Sequence, residues 1–216
     1  MKKIILILIT FSLLVNLLGC TNKSTEQFSE QKKQDIQEFK SIFSNFAKEE
    51  NIIMSSKEMD AFHDITPENV FKETGCQIFK NGSTCESYLL CEGNLYTLGI
   101  GFGGFGIVHI ETCDFDDDNK KDLIYTYSWG SGIHRSSFGY FDLSKKSEGE
   151  IDIDSAELSG FIQEELVLEK VSDTQFQVYK ANVTIEGGDF TKLSLKKDRL
   201  LGEIKAVEKK PVLFIK

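Results

Sequence analysis

Residues 76–100 read CQIFKNGSTCESYLLCEGNLYTLGI and set the pattern for most of the chain. Short β-prone runs in this segment are separated by turn signals. Asn81 with Gly82, and Gly93 with Asn94, are dipeptides typical of tight hairpin turns. Because a hairpin joins two strands that run in opposite directions, the segment predicts antiparallel sheet. The strands predicted here are 76–80, 84–91 and 94–100.

The remainder of the chain continues this pattern. Short β-prone runs alternate with polar or glycine-containing separators, and no long helical pattern lies between them. Strands are predicted at 106–112, 122–128, 137–143, 164–171, 175–184, 202–208 and 211–215. The pattern argues against a βαβ fold and predicts an α+β protein, mostly β, in which an antiparallel sheet domain follows one or two N-terminal helices.

The helices are predicted in residues 31–75. From about residue 29 to 50, apolar residues recur at spacings of three and four, which is typical of an amphipathic helix. They are Ile36, Phe39, Ile42, Phe43 and Phe46. A shorter helix is predicted from Thr66, as its cap, through Pro67 in its first turn to Gly75 at its far end.

The first twenty residues resemble the leader of a bacterial lipoprotein. Lys2 and Lys3 precede an apolar run over 4–18, which is too short for a spanning helix. The run ends Leu-Leu-Gly-Cys at 17–20, similar to the lipobox in which the cysteine is lipidated. The resemblance implies acylation at Cys20, including palmitate, and a stable membrane anchor. The alternative is an ordinary signal peptide with a stray cysteine.

This interpretation divides the chain into three parts. Residues 1–19 are a lipoprotein signal peptide, 20–30 are a polar, flexible tether, and 31–216 are a single extracytoplasmic domain. That domain is helical over 31–75 and mostly β over 76–216. We therefore expect the protein in the bacterial cell envelope, anchored to a membrane by lipid and facing the extracytoplasmic side.

Charge restricts the partners. The chain has 216 residues and a formal net charge of −9, with no basic cluster. This argues against nucleic acid, and against docking to anionic lipid through a basic patch. The partners expected are the membrane, through Cys20, and an unidentified protein or glycan.

Four further cysteines are candidates for disulfides: Cys76, Cys85, Cys91 and Cys113. An even number in an exported domain favours two disulfides. Within one extended strand Cys85 and Cys91 would lie ~20 Å apart, which argues against joining them. We favour Cys76–Cys85 with Cys91–Cys113, and free buried thiols remain the alternative.

Residues 114–122 hold alternating carboxylates. Asp114, Asp116, Asp118 and Asp122 occupy positions 1, 3, 5 and 9 of a predicted loop, and the backbone carbonyl of Lys120 occupies position 7. Such a set of oxygen ligands suits Ca²⁺. Without a cation the carboxylates would repel one another. The alternative is a solvated acidic turn that binds nothing tightly.

The loop is not an EF-hand, because position 6 is Asn119 rather than Gly and position 12 is Tyr125 rather than Glu. Asn119 is suited to a left-handed conformation. Over 105–132 the chain resembles one calcium loop of the FG-GAP and VCBS repeats: a Phe-Gly pair at 105–106 precedes the acidic loop, which leads into a strand. The resemblance implies a structural calcium site at 114–122.

The segment 129–136 is a candidate ligand loop. It is rich in glycine and carries Trp129, His134 and Arg135. We expect the ion at 114–122 to hold this loop in place. The sequence contains no convincing catalytic motif, so we expect a non-enzymatic module for binding or envelope interaction. The alternatives are a cell-envelope hydrolase that uses His134 and nearby Ser or Asp residues, a structural turn, and a lipoprotein without an ion.

Overall fold

The computed structural model describes residues 33–154 and 162–215. The predicted signal peptide, the lipidation site Cys20 and the tether 20–30 lie outside the described residues. The described residues form one compact unit. None of the helices in the described ranges is both long enough and apolar enough to span a membrane.

The first helix, α1, spans Ile36–Glu49. The Asp35 side chain accepts hydrogen bonds from the backbone N–H groups of Gln37 and Glu38, and Glu38 in turn accepts from the Asp35 N–H. This capping box fixes where the helix begins. Its buried residues are Phe39 and Phe43, so the predicted aromatic stripe does face the core.

Two short helices follow, α2 at Ser56–Asp60 and α3 at Glu68–Thr74. Gly75 ends α3 in a left-handed conformation with φ 70°, as predicted. The prediction that Thr66 caps this helix is wrong, because the N-cap is Pro67. The Thr66 hydroxyl instead bonds Asp64 and accepts from the backbone N–H of Ile78 at 2.7 Å.

The strands of the described residues form three sheets, which confirms the mostly β, antiparallel prediction. Sheet A has the order β1-β2-β3-β4, with β1 Phe62–Asp64, β2 Gln77–Asn81, β3 Ser87–Cys91 and β4 Asn94–Leu98. Sheet B has the order β5-β6-β7-β8, with β5 Gly106–Cys113, β6 Asp122–Trp129, β7 Arg135–Asp142 and β8 Ser147–Gly149.

Sheet C has the order β10-β11-β12-β13-β9. Its strands are β9 Asp152–Ile153, β10 Glu165–Ser172, β11 Gln175–Ile185, β12 Leu193–Val207 and β13 Lys210–Ile215. The pairing of β13 with β9 is parallel, and the other pairings in the described sheets are antiparallel.

The core is layered because successive residues of a strand point to opposite faces of its sheet. In β2, Phe79 packs with α1, whereas Ile78 packs on sheet B. In β6, Tyr125 belongs to the cluster shared with sheet A, and Ile124 to the cluster shared with sheet C. The layers therefore run from α1 through sheets A and B to sheet C.

The predicted disulfide pairing is wrong. Cys76 is bonded to Cys91, with their Cα atoms 4.5 Å apart, whereas Cys85 and Cys113 are free and buried. The register of β2 and β3 explains this pairing. Gln77 lies opposite Leu90, so the residues just before and just after them also face each other. Cys85 and Cys91 are not bonded to each other, as expected.

Candidate functional site

The acidic segment forms the turn between β5 and β6. Phe115 is 1% exposed and lies within 5.8 Å of the rings of both Tyr140 and Phe176. This side chain anchors the turn in the core between sheets B and C. Its neighbours Asp114 and Asp116 are held in place on either side of it.

Backbone conformation closes the turn. Asp117 and Asn119 have φ of 59° and 64°, the left-handed region that asparagine tolerates best among non-glycine residues. The backbone N–H of Asp118 donates to Asp114 Oδ1 at 3.2 Å, and that of Lys120 donates to Asp118 Oδ1 at 2.8 Å. The prediction of a left-handed Asn119 is confirmed.

Three of the five predicted ligand residues come together. One carboxylate oxygen from each of Asp114, Asp116 and Asp118 lies within 4.8 Å of the others, so this group could hold a metal ion. Asp116 Oδ1 is buried and has no hydrogen-bond partner within the described structure. The hydrogen bond from the Lys120 N–H lowers the pKa of Asp118, which keeps that carboxylate ionised.

Asp122 lies outside this group. It is 2% exposed, Oδ2 accepts from the Tyr140 hydroxyl at 2.6 Å, and Oδ1 accepts from the backbone N–H of Leu143 at 2.8 Å. Burial raises the pKa of Asp122 to about 6. Lys120 directs its backbone N–H at Asp118, and the role of its carbonyl as a ligand stays a prediction.

The turn between β7 and β8 supplies neighbours that the sequence did not reveal. The Ser144 hydroxyl donates to Asp118 Oδ2 at 3.1 Å. Lys145 Nζ lies 3.9 Å from Asp116 Oδ2 and forms a closer ion pair with Asp142. Ser144 follows Asp118 by 26 residues, and nothing in the local pattern announces the contact.

The expected link between the ion and the 129–136 loop is wrong. β6 connects the two, and its eight residues place its ends roughly 23 Å apart. The acidic turn precedes β6 and the loop follows it, so they lie at opposite ends of sheet B. The neighbours of the acidic turn are instead the β7–β8 turn and Asp173, whose carbonyl accepts from the Asp114 N–H at 2.8 Å.

The candidate ligand loop brings Trp129 and Arg135 opposite each other on β6 and β7. Trp129 also stacks on Tyr127, with ring centroids 5.3 Å apart. His134 Nδ1 lies 2.9 Å from Glu165 Oε1, and its ring meets Phe105 edge-on at 4.9 Å.

A hydrolase would need His134 within reach of a nucleophile. Glu165 could orient the imidazole, but the Ser136 hydroxyl approaches Glu165 Oε2, at 3.4 Å, rather than His134. Among the described residues, neither Ser131 nor Ser137 is hydrogen-bonded to His134. The hydrolase alternative stays a prediction.

No family model, curated protein or solved structure matches the chain.

Proposed function

We propose that the protein is a lipid-anchored, extracytoplasmic calcium-binding lipoprotein that acts by binding rather than by catalysis. One observation carries the calcium part. Asp116 belongs to a group of three aspartates, one carboxylate oxygen from each of which lies within 4.8 Å of the others, and its Oδ1 is buried with no hydrogen-bond partner among the described residues. Like charges this close are unfavourable, and a bound cation would both pair the oxygen and remove the repulsion.

The choice of Ca²⁺ rests on the type of ligand and on the turn. Ca²⁺ accepts six to eight oxygen ligands in irregular geometry, whereas Mg²⁺ demands a near-ideal octahedron and usually retains several waters. The three aspartates come from alternating positions of one turn, and water or backbone carbonyls would complete the shell. The resemblance of residues 105–132 to the FG-GAP and VCBS calcium loop supports the same ion.

The role proposed for the ion is structural. Asp118 contacts Ser144 of the β7–β8 turn, and Asp114 contacts Asp173 of the β10–β11 turn. Lys121 also pairs with Asp173 at 2.7 Å. A cation at the aspartate group would therefore fix one end of sheet B against sheet C, and leave the rest of the surface to a protein or glycan partner.

Thermal unfolding of the full chain, first in EDTA and then across a calcium titration, tests the calcium site. A ligand present at about 100 times its dissociation constant raises the free energy of unfolding by about 2.7 kcal/mol. For a domain of this size we expect Tm to rise by roughly 5–10 °C, with a much smaller rise in Mg²⁺.

Two substitutions in the same turn provide a matched comparison. Asp116→Asn should abolish the calcium-dependent rise in Tm. Asp117→Asn should retain it, because Asp117 is exposed, lies outside the group, and has a φ that asparagine tolerates. A wild-type Tm that is the same in EDTA and in saturating calcium would overturn the proposal.

The anchor is tested separately. In bacterial cells that express the chain, Cys20 should incorporate a labelled palmitate and the protein should fractionate with membranes. Cys20→Ser should lose both properties, whereas Cys113→Ser, at another free cysteine, should keep them. Label retained in the Cys20→Ser variant would contradict lipidation at this position.

A further inference from the structure

A cavity of about 590 Å³ opens at the end of sheet B opposite the aspartate group. Its wall includes Cys85, Glu86, Phe102, Gly103, His134 and Phe190. β5 runs from the Phe105 end of this cavity to the acidic turn, so the two sites lie roughly 23 Å apart along eight residues. The volume falls within the range of small-molecule sites, about 300–1,000 Å³.

The cavity is formed by closely packed backbone. The backbone N–H of Gly130 donates to the Phe102 carbonyl at 2.8 Å. Gly103 has a φ of 65°, and a Cβ there would lie 2.6 Å from the Gly130 carbonyl oxygen. The backbone of the segment that carries Phe102 is therefore packed against the 129–136 loop.

The wall presents aromatic rings to solvent. Phe102 is 75% exposed, which leaves its ring available to a ligand. Phe190 also lines the cavity, and Phe105 lies behind it, 6.2 Å from Phe190 and edge-on to His134. Aromatic faces carry negative electrostatic potential and attract cations.

Carboxylates and basic groups both lie near the cavity. Glu86 lines it, and Glu165 lies behind His134 with a side chain that is only 10% exposed. No lysine or arginine is among its described lining residues. The nearest basic group on the adjoining strand, Lys80, is 1% exposed and donates to the Ile107 carbonyl. Arg135, which follows the lining residue His134, places Nη1 3.5 Å from the position that a Cβ on Gly130 would occupy. Glu86 is the one carboxylate in the described wall of the cavity.

We propose that this cavity binds an organic cation, specifically a methylated ammonium group, between Phe102 and Phe190 and beside Glu86. Such a group is weakly hydrated, so its methyl groups can contact the rings while its charge interacts with the rings and the carboxylate. A small, strongly hydrated metal ion does not fit, because the described wall offers a single carboxylate. This site is independent of the proposed calcium site.

Isothermal titration calorimetry with choline chloride tests the proposal, with the full chain kept in EDTA. The matched probe is 3,3-dimethylbutan-1-ol, which has the shape of choline without its charge. We expect saturable binding of one choline per chain, with an affinity about tenfold higher than that of the alcohol. Adding calcium in place of EDTA should leave the choline affinity unchanged.

Two pairs of variants separate the site from the surface. Glu86→Gln and Phe102→Ala should each weaken choline binding about tenfold. Glu92→Gln, at an exposed glutamate, and Ile53→Ala, at a side chain that is 96% exposed, should not change it. The proposal is overturned by the absence of choline binding, by equal affinity for the uncharged alcohol, or by binding that survives both cavity substitutions.

Discussion

Tyr140 donates its hydroxyl to Asp122 Oδ2 at 2.6 Å and so ties the start of β6 to the end of β7. The backbone N–H of Leu143 occupies the other oxygen of the same carboxylate. Asp122 therefore stabilises sheet B, whereas Asp116, six residues earlier, has a buried oxygen with no hydrogen-bond partner in the described part of the chain. The regular spacing of the acidic residues conceals this difference.

The two carboxylates should respond differently to the same substitution. Asp122→Asn places an amide N–H₂ group where the carboxylate accepts from the Tyr140 hydroxyl and the Leu143 N–H. We therefore expect the free energy of unfolding in EDTA to fall by about 1–3 kcal/mol. The calcium-dependent rise in Tm should remain. Asp116→Asn should change the free energy of unfolding in EDTA only slightly, and its Tm should no longer rise with calcium. Thermal unfolding of both variants, with and without calcium, measures the two effects, and the reverse pattern would assign the ligand role to Asp122.

The disulfide can be mapped directly. Digestion of the unreduced chain should yield one peptide pair joined through Cys76 and Cys91. Cys85 and Cys113, which are 6% and 0% exposed, should react with iodoacetamide only after unfolding. A peptide that links Cys76 to Cys85, or Cys91 to Cys113, would show that the strand register of sheet A is different.

Lys80 should make the stability depend on pH. Burial lowers its pKa to about 8 in the folded chain, against 10.5 as the ordinary value. Below pH 8 both states are protonated, and the folded state carries the cost of a buried charge. Between about pH 8 and 10 the unfolded state alone binds the proton, so the free energy of unfolding rises with pH.

Lys80→Met should therefore raise the free energy of unfolding at pH 7 by about 1–3 kcal/mol, and the gain should shrink as the pH approaches 10. Urea denaturation at several pH values measures this. Lys72→Met, at a lysine whose side chain is 69% exposed, provides the control for the background titration and should change stability by less than about 0.5 kcal/mol. A gain that does not vary with pH would contradict the argument.

Gly106 lies where β5 begins against Cys85. It has a φ of 60°, and a Cβ there would lie 1.9 Å from the Cys85 carbonyl oxygen. Gly106→Ala should lower the free energy of unfolding by at least about 3 kcal/mol, because the added Cβ clashes with the backbone and the residue is also strained at a positive φ. Gly132→Ala, at φ 89° with no atom within 4 Å of the added Cβ, should cost about 1–2 kcal/mol. If urea denaturation gave the same loss of free energy of unfolding for both variants, the clash with Cys85 would not contribute to the effect.

Local patterns predicted the elements that local chemistry controls. The phenylalanine spacing predicted the face that α1 buries, the turn dipeptides predicted the hairpins of sheet A, and Asn119 adopts the expected left-handed conformation. Each of these depends on residues within one turn or one strand, so the sequence holds the information.

Longer-range pairing could not be predicted in the same way. The strand predicted at 84–91 begins only at Ser87, because Cys85 adopts a left-handed φ of 62°. Because β3 starts at Ser87, Gln77 pairs with Leu90, and Cys76 therefore lies opposite Cys91. In β12, residues before Gly202 are mostly polar and exposed, so the β-prone run that predicted strand 202–208 covers less than half of its 15 residues.

The candidate site was predicted only in part for the same reason. The convergence of Asp114, Asp116 and Asp118 follows from the spacing within one turn. The partners of Asp118 and Asp122 on the next hairpin, Ser144 and Tyr140, depend on how β6 pairs with β7. His134 meets Glu165 across 31 residues, and no sequence signal connects them.

The most direct test is to count the bound calcium ions. Equilibrium dialysis of the metal-free full chain against ⁴⁵Ca²⁺ should give one saturable ion per chain for the wild type and for Asp117→Asn. Asp116→Asn should bind none at the same concentrations. Absence of saturable binding by the folded wild type, or undiminished binding by Asp116→Asn, would contradict a calcium site built on the buried oxygen of Asp116.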